Sequence, residues 1–244
     1  MNERYARQIV MPEIGPERQA KLRQARVLVV GAGGLGSPIL LYLAAAGVGT
    51  LGIADNDCVS VSNLNRQILY TTQDVERSKA LTAVQRVRAL NPDVKAIPYE
   101  ERVLRDNGPA LVPQYDLVVE ASDNLETKAL MNELCVNAGL PLVWGAVVRF
   151  EGQMGTYLPG HACRSCVFPQ LPQPGTYPSP AKLGVVGASA GVIGALQAVE
   201  AIKVLLGIGE PLVDKLLLWE GSHMAFNLVS LERDPHCPVC GQSE

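Results

Sequence analysis

The sequence is poor in histidine and carries no strong charge of either sign. Among its 244 residues there are three histidines, His161, His223 and His236. None of them stands in a Ser/His/Asp or Cys/His arrangement, so no catalytic role is assigned to them. The formal net charge is only -3, with no long charged tail. This balance argues against a nucleic-acid-binding protein.

The chain also lacks an apolar leader, because charged residues are spread through positions 1–24. We therefore expect a cytoplasmic protein. A stretch without charge between Arg26 and Asp55 is long enough to span a bilayer. Eight glycine and proline residues divide that stretch into strand, turn, helix and strand, so no membrane segment is predicted there.

Strand and helix patterns alternate through the first part of the chain. Apolar strands are predicted at 26–30, 51–54, 94–99, 115–121 and 142–148, with helices at 35–46, 78–90 and 125–138. A strand at 151–158 follows without a helix, and a helix at 190–206 precedes strands at 215–219 and 226–231. We predict an α/β fold, a doubly wound, mainly parallel, Rossmann-like sheet continued by antiparallel C-terminal strands. One domain, 1–244, would comprise a lead-in (1–25), a nucleotide-binding part (26–150) and a C-terminal part (151–244).

A glycine-rich turn, Gly31-Ala32-Gly33-Gly34-Leu35-Gly36, follows the first predicted strand. Such a turn lets a phosphate approach the backbone and the N-terminus of the next helix, and Asp55 stands where an acid would bind ribose. NAD and ATP fit this pattern equally well. A tight strand-to-helix turn without a ligand is the remaining interpretation.

Two cations downstream, Arg66 and Lys79, favour phosphate chemistry over hydride transfer. When a carboxylate attacks the α-phosphate of ATP, both reactants are anionic, and cations offset their repulsion. The alternative is that both side chains are solvated on helix surfaces, as most lysines and arginines are.

Asp123 directly follows an apolar strand, at the sheet edge where ligands of parallel sheets bind. Its carboxylate suits Mg²⁺. The alternative is a capping box with Glu126 at the start of the next helix, and both roles are compatible.

Four of the six cysteines form two CxxC pairs. Two such pairs supply the four thiolates that a structural zinc site uses, and neither pair stands in a redox-type β-α setting. We predict that Zn²⁺ joins the two pairs; the ligands are Cys163, Cys166, Cys237 and Cys240.

Together these features resemble the ubiquitin-activating-enzyme-like adenylyltransferases that activate sulfur-carrier proteins for thiamine and molybdopterin synthesis. The resemblance covers nearly the whole chain. It rests on Arg4-Tyr5-Ala6-Arg7-Gln8, the glycine-rich turn, Asp55-Asn56-Asp57, Ser62 to Gln67, Lys79, Ala121 to Asn124, Gly145 to Gln153 and both CxxC pairs.

The resemblance implies a homodimer that adenylates the C-terminal Gly-Gly carboxylate of a small ubiquitin-like carrier and releases pyrophosphate. The C-terminal part would bind that carrier. The implied catalytic residues are Arg66, Lys79, Asp123, which would bind Mg²⁺, and Arg7, which would reach the ATP of the neighbouring subunit. The implied nucleotide-binding residues are Gly31, Gly33, Gly34, Gly36, Asp55, Asp57, Ser62, Asn63, Arg66, Lys79, Asp123 and Asn124.

One position departs from this family. Many relatives have a cysteine in the proline-rich loop before the last helix, whereas Pro180 stands at the matching position here. We therefore expect adenylation without a cysteine-linked intermediate, and a separate sulfur donor. A carrier-binding scaffold without activity, and an NAD-dependent oxidoreductase, are the alternative hypotheses.

Overall fold

One sheet organises residues 3–170 and 183–241, which are those that the computed structural model describes. Its eight strands, in chain order, are β1 (Arg26–Val30), β2 (Thr50–Ala54), β3 (Lys95–Tyr99), β4 (Leu117–Glu120), β5 (Leu142–Val148), β6 (Glu151–Tyr157), β7 (Lys215–Glu220) and β8 (Ala225–Ser230). Their spatial order is β3-β2-β1-β4-β5-β6-β7-β8. β1 to β5 pair in parallel, whereas β6, β7 and β8 continue the sheet with antiparallel pairs. The predicted fold class is confirmed.

Helices cover both faces of the sheet. They are α1 (Ala6–Ile9), α2 (Gly15–Gln24), α3 (Gly36–Ala46), α4 (Lys79–Leu90), α5 (Gly108–Leu111), α6 (Leu125–Asn137), α7 (Arg164–Val167) and α8 (Gly187–Leu206). Residues of β1 alternate between the two layers: Val27 and Val29 pack with α3, α4 and α8, whereas Leu28 and Val30 pack with α6. A strand buried on both faces is therefore apolar throughout, which explains the uncharged stretch at this point in the sequence.

Most of the predicted elements are present. β1 and β5 have the predicted bounds, α4 begins after Ser78, and α8 begins at Gly187 rather than at residue 190. The lead-in contains α1 and α2, and the short helix α5 was not predicted. Much of the proline-rich loop, including Pro180, lies outside the described residues.

The long helix α8 is apolar enough, by length and composition alone, to cross a membrane. Half of that apolar window is buried inside the protein, and Ile193 and Ala198 belong to the main core. The same test is passed by core helices, and α8 packs as one. The stretch from Arg26 to Asp55 is divided among β1, α3 and β2, as predicted.

The strand order reverses between β1 and β4, because β2 and β3 extend the sheet to one side of β1 and β4 to β8 extend it to the other. Gly31 follows β1 and Ala121 follows β4, so their backbones meet at this point. A Cβ atom on Gly31 would lie 2.8 Å from the carbonyl carbon and oxygen of Ala121, and the φ angle of Gly31 is +97°. Ligands of doubly wound sheets bind at such a reversal.

Replacing Gly31 tests this contact. Gly31→Ala should lower the free energy of unfolding by clearly more than the ~1–2 kcal/mol that a left-handed backbone costs an L-residue, because it also forces a clash between two main chains. Gly139→Ala is the matched control, since Gly139 has a φ of +63° and no atom within 4 Å of its Cβ position. Urea unfolding followed by circular dichroism measures both. Equal losses in the two variants would contradict the proposed contact.

Candidate nucleotide site and cysteine cluster

The carboxylate of Asp55 holds the glycine-rich turn against the end of β2. Its Oδ2 accepts a hydrogen bond from the backbone N–H of Ala32 at 2.8 Å, and its Oδ1 accepts one from Asp57 N–H at 2.9 Å. Burial raises the pKa of Asp55, while the nearby charge of Lys79 lowers it. The predicted acid therefore lies beside the predicted turn.

Lys79 stands at the first position of α4 and is 5% exposed. Its Nζ lies 3.0 Å from Asp57 Oδ2, and its backbone N–H donates to the carbonyl of Asp57 at 2.9 Å. The fold thus joins three predicted residues, Asp55, Asp57 and Lys79, at the glycine-rich turn. Lys79 is not a solvated surface charge.

Arg66 lies on the other side of the turn. A Cβ atom on Gly34 would lie 3.6 Å from Arg66 Cγ, and one on Gly33 would lie 3.4 Å from Nε2 of the neighbouring Gln67. The Arg66 guanidinium donates to the Ser62 carbonyl at 2.9 Å and to Asn65 Oδ1 at 3.1 Å. These contacts keep the guanidinium near the turn.

Ser62 and Asn63 belong to a short 3₁₀ helix, Val61–Asn63. Ser62 Oγ lies 2.9 Å from Ser60 Oγ, and Asn63 Oδ1 accepts from Ser60 N–H at 3.4 Å. Both side chains therefore shape the loop that carries Arg66. Gly36 is also packed closely, because a Cβ there would lie 2.1 Å from the Gly31 carbonyl oxygen.

Asp123 is exposed on the loop between β4 and α6, next to the contact of Ala121 with Gly31. The alternative prediction of an Asp123 capping box is wrong, because the cap of α6 is Asn124, whose Oδ1 accepts from Thr127 N–H at 2.8 Å. Asp123 and Asn124 are both residue types that cap helices. The loop after β4 places Asn124, rather than Asp123, directly before the first residue of α6. The Asp123 carboxylate is thus left out of the cap.

The four predicted zinc ligands converge. Their sulfur atoms all lie within 4.8 Å of one another, with Cys163 Sγ 3.7 Å from Cys237 Sγ and Cys166 Sγ 3.4 Å from Cys240 Sγ. Burial raises the pKa of Cys163 to about 11 and that of Cys166 to about 12, so both are thiols at neutral pH unless a cation displaces their protons. A group of four cysteine sulfurs, with no histidine or carboxylate in the group that the described residues form, fits structural Zn²⁺.

Comparison with known proteins identifies the family. The model of the ThiF family matches residues 5–239. The chain belongs to the ThiF family.

Close relatives of this ThiF-family chain are enzymes of the predicted class. The sulfur carrier protein adenylyltransferase of Thermus thermophilus is 49% identical over 245 residues, which cover 98% of the chain and 90% of the relative. The SAMP-activating enzyme E1 of Haloferax volcanii is 48% identical over 240 residues, covering 98% and 89%. The crystal structure of E. coli MccB with ATP has a TM-score of 0.84 and 25% identity, covering 99% of the chain and 74% of MccB. The predicted family and the predicted class, an adenylyltransferase, are confirmed.

Arg7 of the ThiF-family chain lies apart from these residues. It is exposed on α1, and its neighbour Gln8 donates to the carbonyl of Ala46 at 3.1 Å. Ala46 is the last residue of α3, whereas the glycine-rich turn lies at the start of that helix. At 1.5 Å per residue, the two ends of α3 are roughly 16 Å apart. Arg7 therefore does not join the nucleotide residues of its own chain.

Three buried residues around the ThiF-family site were not predicted. The hydroxyl of Tyr70 lies 2.8 Å from the Ala32 carbonyl oxygen and 3.2 Å from that of Lys79, so it connects the turn with α4. Lys128 Nζ lies 2.7 Å from Glu120 Oε2 and donates to the Gly145 carbonyl. Glu120 Oε1 in turn accepts from Ser122 N–H at 2.8 Å. For the pair of Glu120 and Lys128, the signal in the sequence is a carboxylate at the end of an apolar strand, which a buried cation can neutralise.

Breaking this buried pair should destabilise the protein strongly. Lys128→Met is expected to lower the free energy of unfolding by about 3–5 kcal/mol, because it leaves the Glu120 carboxylate buried without a cation. The double variant Lys128→Met/Glu120→Gln should recover part of that loss, since neither side chain is then charged. Denaturant unfolding of both variants is the measurement, and a double variant that is less stable than Lys128→Met would contradict the assignment.

Proposed function

We propose that this protein adenylates the C-terminal Gly-Gly carboxylate of a small ubiquitin-like sulfur-carrier protein, with ATP as the second substrate. The activities named for the bacterial and the archaeal relative, a sulfur carrier protein adenylyltransferase and a SAMP-activating E1, support this substrate class. The likeness to MccB, whose structure was solved with ATP, supports ATP as the second substrate.

The pair between Lys79 and Asp57 is the observation that carries the proposal. The Lys79 side chain is 6% exposed, whereas that of Asp57 is 59% exposed. Among the described residues, Asp57 is the only ion-pair partner of Lys79, and its carboxylate faces solvent. Little interaction energy is therefore lost when an incoming phosphate replaces that carboxylate. Lys79 is therefore positioned before the nucleotide binds, which is the preorganisation that phosphoryl chemistry needs.

The reaction follows from these charges. A carboxylate oxygen of the carrier attacks the α-phosphorus of ATP, and the bond from that phosphorus to the bridging oxygen breaks, so pyrophosphate leaves with the electron pair. Arg66 and Lys79 offset the negative charge that gathers on the phosphate oxygens. The backbone of the glycine-rich turn contacts the phosphates, and the Asp55 carboxylate accepts from the ribose hydroxyls.

Asp123 would hold Mg²⁺ beside this chain of phosphates, and the ion would neutralise part of the charge of the departing pyrophosphate. The exposed carboxylate, which the cap of α6 does not use, supports that role. Asn124 caps the helix, so its contribution to the nucleotide is to fix the loop that carries Asp123.

A second subunit would complete the site. Arg7 is exposed and distant from the turn of its own chain, so it is available to contact the nucleotide of a neighbouring subunit in a homodimer. A Gly-Gly protein encoded nearby would identify the carrier and show whether its pathway is thiamine or molybdopterin synthesis. Because Pro180 replaces the loop cysteine, the carrier-adenylate would pass to a separate sulfur donor.

Carrier-dependent exchange of labelled pyrophosphate into ATP tests the function. Lys79→Ala and Asp123→Ala should each lower the exchange rate by about 10²–10³-fold, because Lys79 offsets the charge of the phosphates and Asp123 would hold the Mg²⁺ that does the same. Arg88→Ala is the matched control on α4, since Arg88 is exposed and its guanidinium contacts only the Ala96 carbonyl among the described residues. Circular dichroism should show all three variants folded.

Each possible outcome of this assay has a clear meaning. A carrier shortened by its two C-terminal glycines should give no exchange. If the wild-type protein binds full-length Gly-Gly carriers but exchanges no pyrophosphate, it is a scaffold and the proposal is wrong. If it binds NAD and not ATP, the oxidoreductase hypothesis replaces it.

A further inference from the structure

Arg164, between the two cysteines of the first CxxC pair, is a buried cation with an unusual environment. The residue is 5% exposed, and its Nε has no hydrogen-bond partner among the described residues. No ion pair is formed by its guanidinium within residues 3–170 and 183–241. A buried guanidinium without a counter-charge is strongly unfavourable, so something must balance it.

Aromatic rings supply part of the stabilisation. The Arg164 Cζ lies 5.8 Å from the ring centroid of Trp144 and 5.0 Å from that of Phe168. Cation-π contacts of this kind offset only a fraction of the cost of removing a full charge from water. They position the guanidinium but do not neutralise it.

The nearby carboxylate is already paired. Burial lowers the pKa of Arg164, and the Glu120 carboxylate opposes that shift, but the two Glu120 oxygens are bound to Lys128 and to Ser122. Arg164 lies between two of the four converging cysteines, and the Trp144 and Phe168 rings that it contacts pack in the same core as those cysteines. Four thiolates around one Zn²⁺ leave two negative charges in excess.

Asn132 of α6 adds a hydrogen bond to the same cysteine. The residue is fully buried; its Nδ2 lies 3.4 Å from Cys163 Sγ and 3.1 Å from Ser165 Oγ. Its Oδ1 accepts from the backbone N–H of Arg164 at 2.9 Å, which fixes the orientation of the amide. An N–H donor directed at a metal-binding sulfur stabilises the thiolate form.

We infer that Arg164 and Asn132 retain zinc in this protein, Arg164 by balancing the excess charge of the zinc-thiolate cluster and Asn132 by donating to Cys163. The inference concerns the cysteine cluster alone and does not depend on the adenylation reaction.

Zinc affinity is measured by competition with a chromophoric chelator on the full chain. Arg164→Met should weaken zinc binding by about 10–100-fold, the range seen when groups supporting metal ligands are removed. Arg164→Lys, which keeps the charge, should bind zinc within a few fold of wild type. Asn132→Asp keeps the acceptor for Arg164 N–H but turns a carboxylate oxygen toward Cys163, so its affinity should also fall. Arg26→Met is the matched control, because Arg26 lies 5.6 Å from the Tyr115 ring and outside the cluster.

Melting temperatures with and without zinc separate charge balance from packing. Arg164→Met should lower the Tm of the zinc-loaded protein more than that of the zinc-free protein, because only the loaded protein contains the zinc-thiolate charge that Arg164 balances. An equal loss in both states, or unchanged zinc affinity in Arg164→Met and Asn132→Asp, overturns the inference. If Arg164→Met does not fold, Arg164→Gln repeats both measurements with a polar side chain of similar length.

Discussion

The close approach of the ends of β1 and β4 is the constraint on which the candidate site depends. Gly31 and Ala121 meet backbone to backbone, and a side chain at Gly31 would prevent it. On one side of this contact, Asp55 binds the turn through Ala32. On the other side, the chain leaves β4 toward Asp123. Residues that are far apart in the sequence therefore share one edge of the sheet because two main chains are in contact.

Helix α6 connects that edge with the cysteine cluster. The helix is capped by Asn124; one turn later Lys128 pairs with Glu120 and binds the Gly145 carbonyl; another turn later Asn132 contacts Cys163. Residues four apart lie on one face of a helix, so the buried face that carries Lys128 and Asn132 contacts both Glu120 and Cys163. A metal that joins the two CxxC pairs would fix the far end of this helix, and hence also the loop at its start.

Local patterns made most of the fold predictable. Strand positions followed from apolar runs bounded by glycine and proline, and the converging cysteines followed from ligand chemistry. Lys128, Tyr70 and Arg164 were not predicted, because their burial depends on partners that only the folded chain supplies: Glu120, the Ala32 carbonyl, and the ring of Phe168. In the sequence a lysine within a helix resembles a surface charge.

Three buried cations differ chiefly in the exposure of their counter-charges. The Glu120 side chain is 0% exposed, so Lys128 cannot exchange it for a ligand without leaving a carboxylate buried. Asp57 is exposed, so Lys79 can exchange it for a phosphate, because water solvates the released carboxylate. Arg164 pairs with no carboxylate in the described part of the chain, and its proposed counter-charge is the zinc-thiolate cluster. Burial of the partner, rather than burial of the cation, therefore separates a charge that supports the fold from one that is available for a ligand.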